Sequence, residues 1–314
     1  MNKKVSVLII TYNHEAYVSQ ALESVLMQQT NFDYEVVIGD DCSTDRTRKI
    51  VIDFQRRYPN QIRLLLPNNN LGMHNNYIET LKACTGKYVA VLEGDDYWTT
   101  SDKLQKQADF LDAHPGSAIC FHNVEAFYED NRSSPWNLCP KDQKAISTLE
   151  DLLVANFIPT CTVMFRNGLI REFPQWVYTL MMIDWPLHIF NAQHGDIGYL
   201  NEVMSVYRIH PNGTFSMKSN IVHQLEFLKM YEWLNNYLPS EYHSIIKNRM
   251  FSCWFNLTMA YLEECDMASA RRFFYLCLKE RPFTKNAYQK LKLIFKFNAP
   301  ISFKITRRIW HLTR

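Results

Sequence analysis

The sequence predicts an α/β protein with a doubly wound, mostly parallel sheet, followed by an α-helical C-terminal region. Between residues 5 and 92, short apolar, β-branched runs alternate four times with stretches of helical or polar character. The connections are short, which favours parallel strands joined by crossover helices. From Ile221 onward the periodicity is helical almost throughout. We therefore expect an α/β domain over 1–218 and a helical region over 219–314.

Each early element has its own local signal. Ala16–Gln28 carries apolar residues at the i, i+3, i+4, i+7 spacing of an amphipathic helix. Ser43 or Thr44 can cap the helix expected at Thr47–Tyr58. The strands expected in this part are Val5–Ile10, Tyr34–Ile38, Ile62–Leu66 and Tyr88–Leu92, and the remaining helices are Thr47–Tyr58 and Asn76–Cys84.

The pattern continues less regularly beyond residue 96. The expected elements are helices Lys103–Ala113 and Ile183–Ala192, strands Ala118–Tyr128, Thr162–Arg166 and Val203–Ile209, and a helix pair Phe251–Glu264 and Ala268–Lys279. The polar, proline-containing segment Glu129–Lys144 is expected to be a loop.

Charge is distributed unevenly along the chain. The formal net charge is +2, which favours no particular class of partner. Between Arg271 and Arg314, however, the sequence has 12 Lys or Arg residues and one acid, Glu280. A basic end on an acidic body predicts attraction to an anionic surface. Because a basic helix with Trp310 is expected after Pro300, we expect a membrane surface, with packing on the body as the alternative. No recognition motif supports nucleic-acid binding.

The cysteines and apolar segments bear on the compartment. The 8 cysteines are scattered, with no Cys-x-x-Cys pair, which is typical of free thiols in a reducing compartment. The first apolar run ends at Ile10, too early for a signal peptide. No stretch approaches the ~20 apolar residues that a spanning helix needs. We expect a cytoplasmic protein, with peripheral attachment to the inner face of the membrane as a further hypothesis.

Glu93-Gly94-Asp95-Asp96 places three acids at the end of a predicted strand. Three carboxylates buried together without partners would repel one another. Mg²⁺ or Mn²⁺ would relieve this repulsion, since both prefer carboxylate oxygens and leave positions for a diphosphate. The alternative is a solvated turn with an acidic corner. The apolar strand before the motif and Tyr97-Trp98 after it favour the metal site.

Two other polar clusters follow strands of the same predicted sheet. The carboxylate of Asp41 can accept a hydrogen bond from the N3–H of uracil or thymine, or from ribose hydroxyls. Tyr12, beside Thr11, offers a flat face for stacking a base. The alternatives are that Asp40-Asp41 are turn residues and that Tyr12 only packs. Because ligands bind beyond the carboxyl ends of parallel strands, the three clusters are expected at one edge.

Taken together, these segments resemble family 2 glycosyltransferases. The matching segments are Val5–Asn13, Val36–Asp45 (the family's V-D-D-x-S-x-D), Asn70–Gly72, Thr85–Tyr88 and Leu92–Trp98 (a variant DXD motif). The resemblance covers at least Val5 to about Ser216. It implies a GT-A fold and a metal-dependent, inverting transfer of a sugar from a nucleotide-diphosphate sugar to a hydroxyl.

The resemblance also implies roles for individual residues. It places Asp96 on the divalent metal. Glu93 replaces the more usual Asp at the first motif position, and its contact with nucleotide or metal is left open. The residues expected to bind the nucleotide or donor sugar are Thr11, Tyr12, Asn13, Glu15, Asp41 and Asp95.

A candidate base comes later in the chain, in Met182-Ile183-Asp184-Trp185-Pro186. An inverting transfer needs a group that takes the acceptor proton as the hydroxyl attacks the anomeric carbon. Apolar and aromatic neighbours would raise the pKa of Asp184 toward the working range of a base. The segment resembles the family's catalytic aspartate. A helix-capping role for Asp184 is compatible with this one.

The last motif is Tyr207–Ser216, which resembles the family's Y-R-x-H-x-x-x-x-S segment. The resemblance implies that His210 binds the metal or contacts the diphosphate and that Arg208 balances phosphate charge. A purely structural His210 is the alternative.

The expected partners are therefore a nucleotide-sugar donor, with UDP first, and a glycan or lipid-linked acceptor. A sugar nucleotidyltransferase would carry a glycine-rich, basic phosphate loop after the first strand, and Thr11–Tyr17 has neither Gly nor Lys. A dehydrogenase would need G-x-G-x-x-G, which is absent. A non-catalytic nucleotide-binding member of the fold is the third alternative.

Overall fold

The computed structural model describes residues 3–211, 213 and 218–279. The chain divides into two compact units, Met1–Met217 and Lys218–Arg314. Of the 12 basic residues from Arg271 onward, all but Arg271, Arg272 and Lys279 lie outside the described residues. None of the described helices is long and apolar enough to cross a membrane.

The first unit is built on one mixed sheet. Its strands are β1 (Val5–Thr11), β2 (Tyr34–Asp40), β3 (Ile62–Leu65), β4 (Tyr88–Glu93), β5 (Tyr97–Trp98), β6 (Ser117–Tyr128), β7 (Trp136–Asn137), β8 (Ile146–Ser147), β9 (Met164–Arg166) and β10 (Asp196–Ile209). Its helices are α1 (Val18–Leu26), α2 (Thr47–Arg57), α3 (Met73–Ala83), α4 (Lys103–Ala113), α5 (Leu149–Val154) and α6 (Asp184–Ala192). Short 3₁₀ turns occur at Thr160–Thr162 and Gln175–Thr179.

The sheet order is β3-β2-β1-β4-β9-β6-β10-β5, with β7 on β6 and β8 on β10. The four strands from β3 to β4 are mutually parallel, and β6 is parallel to β10. The shorter β9 runs antiparallel between β4 and β6. This mostly parallel α/β sheet, followed by helices, confirms the predicted fold class.

Burial explains why the early elements could be predicted. Every residue of β1 is buried, as expected for a parallel strand covered on both faces. In α1 the buried apolar positions are Val18, Ala21, Leu22 and Val25, the predicted helical face. Each of the Val and Leu side chains removed from water contributes about 1.5–3 kcal/mol to folding.

Some predicted boundaries were wrong. β10 begins at Asp196 instead of Val203, because register shifts between Leu200 and Val203 interrupt the alternation that sequence reading relies on. The segment Glu129–Lys144 is not entirely loop, since β7 pairs with β6 there. Neither Ser43 nor Thr44 caps α2; Thr47 N instead donates to Asp45 Oδ1 at 2.9 Å.

The described part of the second unit, residues 218–279, is helical. It contains α7 (Asn220–Tyr237), α8 (His243–Glu263) and α9 (Met267–Lys279), with a 3₁₀ turn at Ser240–Tyr242. Asn256 Nδ2 donates to Gln224 Oε1 at 3.2 Å, which joins α8 to α7. The rings of Tyr261 and Phe273 stack with centroids 5.8 Å apart, which joins α8 to α9. The predicted helix pair is therefore present. All eight cysteines of the chain are free thiols, as expected.

Candidate active site

Three loops leave the sheet at the carboxyl ends of its strands. β1 lies between β2 and β4, and the register sets Thr11 beside Asp40 and Ile10 beside Glu93. Because these strands are parallel, their following loops all start from one edge. The polar clusters predicted separately are thereby brought together at this edge of the sheet, which we name the catalytic edge.

The loop after β1 is tied to the loop after β2. Asn13 has a φ of 54°, in the left-handed region that Asn tolerates, and its Oδ1 accepts from Thr44 N at 2.8 Å. Glu15 Oε2 accepts from Arg46 N at 2.8 Å. Tyr12 exposes 44% of its surface, so its ring is accessible for stacking. Asn13 and Glu15 thus shape the edge, while the expected stacking of a base on Tyr12 stays a prediction.

Asp41 is buried where three segments converge. Its N–H donates to Thr11 O at 3.0 Å, and its Oδ1 accepts from Leu71 N at 2.6 Å. Its carbonyl accepts from Asn70 Nδ2 at 3.0 Å. The carboxylate therefore holds the loop after β3 against the end of β1. Its contact with a base stays a prediction.

The three acids of Glu93-Gly94-Asp95-Asp96 differ in how readily they ionise. Burial raises the pKa of Glu93 well above its usual range, and the charges of Asp95 and Asp96 raise it further. Burial also raises the pKa of Asp96, followed by the charge of Asp95. Burial opposes ionisation of Asp95 too, but a hydrogen bond from His210 and the charge of His14 outweigh it and lower its pKa. Asp95 is therefore the most readily ionised acid of the motif.

His210 faces Asp95, not Asp96. His210 Nε2 lies 3.0 Å from Asp95 Oδ2, and His14 Nε2 lies 3.8 Å from the same oxygen. Asp96 Oδ1 instead accepts from Arg208 N at 2.9 Å. The described contacts thus pair His210 with Asp95 and Arg208 with Asp96, and the expected placement of Asp96 and His210 on one metal stays a prediction.

Asp95 and His210 fit a divalent metal site. An ionised carboxylate oxygen 3.0 Å from an imidazole nitrogen has the spacing of adjacent ligands around one ion with bonds of about 2.1 Å. No three His, Cys, Asp or Glu side chains in the described part of the chain are grouped as a metal site. A diphosphate and water would therefore supply the other ligands, as is usual for Mg²⁺.

Arg208 hydrogen-bonds to the backbone of the acidic motif. Its Nε donates to Asp95 O at 2.9 Å, and one Nη donates to Gln20 Oε1 at 2.8 Å. Its guanidinium carbon lies 4.7 Å from the ring centroid of Tyr17 and 5.3 Å from that of Phe127. These contacts fix the acidic loop on α1 and β6. The expected phosphate contact of Arg208 stays a prediction.

Asp184 begins α6 and reaches the same acidic region. Its Oδ2 accepts from Asn156 Nδ2 at 3.0 Å, and burial raises the pKa of its carboxyl group. The charge of Asp184 contributes to the raised pKa of Glu93 and of Tyr77. Asp184 therefore lies in the electrostatic environment of the catalytic edge, as a base acting there must.

Several buried polar atoms around the motif have no partner among the described residues. They are Thr11 Oγ1, His14 Nδ1, Asp96 Oδ2 and His210 Nδ1. A Cβ added at Gly94 would lie 2.7 Å from Thr11 Oγ1 and 2.9 Å from His14 Nδ1, so the motif passes close to both. Unpaired buried polar atoms cost stability, and their concentration here is typical of a binding site.

Sequence reasoning missed three residues of this region. His14 follows the predicted turn directly, so its position after a strand was an available signal. Asn156 and Tyr77 lie in segments without a motif, and only tertiary packing brings them near Asp184 and Glu93. The buried Tyr77 hydroxyl has no partner among the described residues.

Comparison with known proteins decides the family. The model of glycosyl transferase family 2 matches residues 6–173, more than half of the chain. This chain belongs to glycosyl transferase family 2. The match includes Thr11, Asp41 and the acidic motif but ends before Asp184 and His210, whose assignment depends on geometry and on their own local motifs.

Relatives and solved structures agree with this family 2 membership. An uncharacterized protein of Mycobacterium bovis is 40% identical over 208 residues, which is 66% of this chain and 59% of that protein. The chain thus spans about three-fifths of the length of this relative. The structure of Staphylococcus aureus TarS residues 1–349 with UDP-GlcNAc has a TM-score of 0.57 at 20% identity and covers 86% of this chain and 90% of its own.

A second solved structure extends the comparison of the fold. The mannosyltransferase PcManGT of Pyrobaculum calidifontis, bound to GDP-Man and Mn²⁺, has a TM-score of 0.59 at 15% identity. The match covers 98% of this chain and 84% of that one. Both neighbours are glycosyltransferases, and the family 2 chain has the GT-A fold.

Proposed function

We propose that this family 2 glycosyltransferase moves a sugar, with inversion and with a divalent metal, from a nucleotide-diphosphate sugar to an acceptor hydroxyl. The observation that carries the proposal is the pairing of ionised Asp95 with His210, 3.0 Å apart, at the edge to which Asp184 also belongs. This edge combines a site for a diphosphate-bound metal with a candidate base.

The chemistry follows from these groups. Asp184 accepts the acceptor proton as the hydroxyl oxygen attacks the anomeric carbon from the face opposite the diphosphate. Asn156, hydrogen-bonded to Asp184 at 3.0 Å, orients the carboxylate. Mn²⁺ or Mg²⁺ held by Asp95 and His210 would neutralise charge on the leaving diphosphate. Arg208 keeps Asp95 in place from behind.

A UDP-sugar is the donor we propose. The exposed ring of Tyr12 lies at the catalytic edge. The buried Asp41 is hydrogen-bonded to Thr11 there, and its carboxylate can accept a hydrogen bond from the N3–H of uracil. TarS binds UDP-GlcNAc, whereas PcManGT binds GDP-Man, and a dTDP-sugar presents the same edge as uracil. Donor identity therefore becomes the first variable of the experiment.

The remaining assignments belong to the same proposal. We assign the catalytic domain to residues 1–218; of the C-terminal region 219–314 the structure describes residues 219–279, which contain helices α7 to α9, and the helix expected after Pro300 lies outside the described residues. The acceptor is a glycan or a lipid-linked glycan of the cell surface, reached from the cytoplasmic side, and the activity is that of a hexosyltransferase. Attachment to an anionic membrane depends on the basic C-terminal residues; equal liposome co-sedimentation of the full chain and a chain ending near Pro300 would contradict it.

The test is nucleotide release from UDP-, dTDP- and GDP-sugars, with Mn²⁺, Mg²⁺ or EDTA. We expect slow, metal-dependent release from one donor class in the wild type. Asp95→Asn should abolish it, whereas Asp53→Asn, on the exposed face of α2, should leave it unchanged. Acceptors are then screened with the active donor.

Two alternatives have distinct outcomes. A sugar nucleotidyltransferase would release pyrophosphate from a nucleoside triphosphate and a sugar phosphate. A non-catalytic member would bind nucleotide with metal but release nothing from any donor–acceptor pair. If no nucleotide binds with or without metal, the transferase proposal is wrong.

A further inference from the structure

In the described part of the chain, a single hydrogen bond holds the ring of His210. Its Nε2 lies 3.0 Å from Asp95 Oδ2, and its buried Nδ1 has no partner among these residues. A histidine that binds a metal usually has its second ring nitrogen hydrogen-bonded to a carboxylate, a carbonyl or a water, which fixes the orientation of the imidazole. Because no described residue supplies this second bond, the orientation of His210 depends on packing.

Two aromatic side chains from the loop after β1 pack around His210. The ring centroids of Tyr17 and His210 are 4.9 Å apart. The centroid of His14 lies 6.4 Å from that of Tyr17 and 6.4 Å from that of His210, edge to face in both pairs. The Tyr17 ring is thus the closer of the two to His210, and its contact restricts rotation of the imidazole.

The Tyr17 ring is fixed by its own contacts. Its hydroxyl donates to the carboxylate of Glu129, with distances of 2.9 Å to Oε1 and 3.0 Å to Oε2. The guanidinium carbon of Arg208 lies 4.7 Å from the Tyr17 ring centroid, a distance at which a cation is attracted to an aromatic ring. Tyr17 thus contacts Arg208 as well as His210, and both of these side chains bind the acidic motif.

Glu129 links this cluster to the chain directly before His210. It follows the last residue of β6, and its N–H donates to Ile209 O at 3.0 Å. The carboxylate that anchors the Tyr17 hydroxyl therefore belongs to a residue whose backbone is tied to the neighbour of His210. Glu129 thereby fixes the position of the Tyr17 ring relative to His210.

The residue type at position 17 agrees with a role beyond packing. Tyr17 is half-exposed, and its hydrogen bonds to Glu129 lie at the surface, so burial of apolar area does not account for the aromatic ring and its hydroxyl. A leucine could fill the same space, but it could neither attract the guanidinium group of Arg208 nor donate to the carboxylate of Glu129.

We propose that Tyr17, anchored by Glu129, is a positioning residue that holds the His210 imidazole against Asp95. The use of this arrangement rests on the proposed transferase function, in which Asp95 and His210 hold a divalent cation. A ring that is already oriented loses little conformational freedom when the cation binds, so the cation is bound more tightly. Tyr17 touches neither the cation nor the reacting atoms and acts only through His210.

The first experiment observes His210 by NMR in the full chain, with isotope-labelled histidine and EDTA, at a pH where imidazole is neutral. Its signals are identified by their absence in His210→Ala. Because a carboxylate only accepts hydrogen bonds, we expect one tautomer in the wild type, with the proton on Nε2. Tyr17→Leu should release the ring and mix the two tautomers, which the chemical shifts of the ring nitrogens report. A lost ring current alone changes these shifts far less than a lost proton does.

The second experiment measures the Kd of Mn²⁺ in the presence of UDP by electron paramagnetic resonance. Tyr17→Leu should weaken binding about tenfold, as is usual when a residue that orients a metal ligand is removed. Tyr17→Phe keeps the ring and loses the hydroxyl, so it should weaken binding only roughly two- to fivefold. Glu129→Ala removes the same hydrogen bonds from the other side and should match Tyr17→Phe.

A double-mutant cycle separates positioning from general destabilisation. In the His210→Ala background, Tyr17→Leu should have no further effect on the Kd of Mn²⁺, because the residue through which it acts is gone. Tyr58→Leu is the matched control: Tyr58 is exposed, and the guanidinium carbon of Arg57 lies 6.0 Å from its ring centroid. The control should change neither the NMR signals nor the Kd. Thermal unfolding checks that each variant is folded.

The proposal is overturned if Tyr17→Leu leaves the His210 tautomer unchanged, if it binds Mn²⁺ like the wild type, or if its effect persists in full in the His210→Ala background. It is also overturned if Tyr17→Phe is as weak as Tyr17→Leu, since the ring would then have no part in it. If the wild type binds no Mn²⁺ with UDP, the proposed metal site is refuted, and the NMR experiment on the metal-free protein still decides the role of Tyr17.

Discussion

Acidic side chains at the two ends of β4 differ in how completely they are paired. At its beginning, Asp112 of α4 meets Lys4 Nζ at 2.7 Å, Lys87 Nζ at 2.6 Å and the Tyr88 hydroxyl at 2.6 Å. These hydrogen bonds lower the pKa of Asp112. The pairing at this end is complete, and it ties β1, β4 and α4 together.

At the other end the pairing is incomplete: Asp95 Oδ2 meets His210 Nε2 and Asp96 Oδ1 accepts from Arg208 N, but no described Lys contacts these acids. Burial and mutual repulsion raise the pKa of Glu93 and of Asp96, and Asp96 Oδ2 has no partner among the described residues. The difference is the one expected if the proposed metal site lies at the second end, since functional sites retain carboxylates whose burial the fold alone does not compensate.

The largest expected effect tests the base. Asp184→Asn should lower kcat about 10²- to 10⁴-fold, because the amide cannot take the acceptor proton, while nucleotide affinity stays unchanged. Transfer assays and calorimetric titration with UDP measure the two quantities. Asp53→Asn is the control. Nearly full transfer by Asp184→Asn would remove Asp184 from the mechanism.

The pH profile of the wild type belongs with this test. Burial raises the pKa of Asp184, and the base must be ionised to act. Transfer should therefore fall as pH decreases through a value above the ordinary aspartate pKa of about 3.9. Tyr77 and Glu93 face the same region, so their substitution should shift the pH at which transfer falls. A flat profile down to about pH 4 would contradict the assignment.

The next effect tests the metal site. Asp95→Asn should weaken Mn²⁺-dependent nucleotide binding at least tenfold, since one of two protein ligands loses its charge. Electron paramagnetic resonance of free Mn²⁺ measures this binding without catalysis. His210→Ala should behave alike. If Asp96→Asn loses metal affinity and Asp95→Asn keeps it, the metal ligands are Asp96 and His210, as expected from sequence.

The smallest effects form a matched pair across β4. Asp112→Asn should destabilise the protein by about 1 kcal/mol, an amount limited by solvent screening because the side chain is 35% exposed. Asp96→Asn should instead stabilise the metal-free protein by about 1 kcal/mol, since it removes a carboxylate whose ionisation burial and Asp95 oppose. Transfer should survive the first change and fall in the second.

Denaturant unfolding at several pH values checks the pair. The pKa of Asp112 is lowered by folding, so its stabilisation is present at neutral pH and is lost as pH falls below the ordinary aspartate range. The pKa of Asp96 is raised, so its cost to the fold grows as pH rises above that range. The two variants should therefore converge on the wild type in acid. Equal destabilisation by both at neutral pH would refute the contrast.

The sequence by itself determined the elements whose signals are local. The buried strand β1 and the apolar stripe of α1 follow from residue type and spacing within a window of a few residues. The α/β class and the clustering of the polar loops that carry Asp41 and Asp95 at the carboxyl edge could be predicted from such patterns and the family resemblance, whereas the roles of Asp41, Asp95 and Asp184 stay predictions.

Only the tertiary structure decided which side chains meet. It paired His210 with Asp95 across 115 residues of sequence, brought Asn156 to Asp184, and used Arg208 to hold the acidic loop. Contacts of this kind depend on how distant segments pack, and a one-dimensional pattern does not contain the direction in which a side chain points.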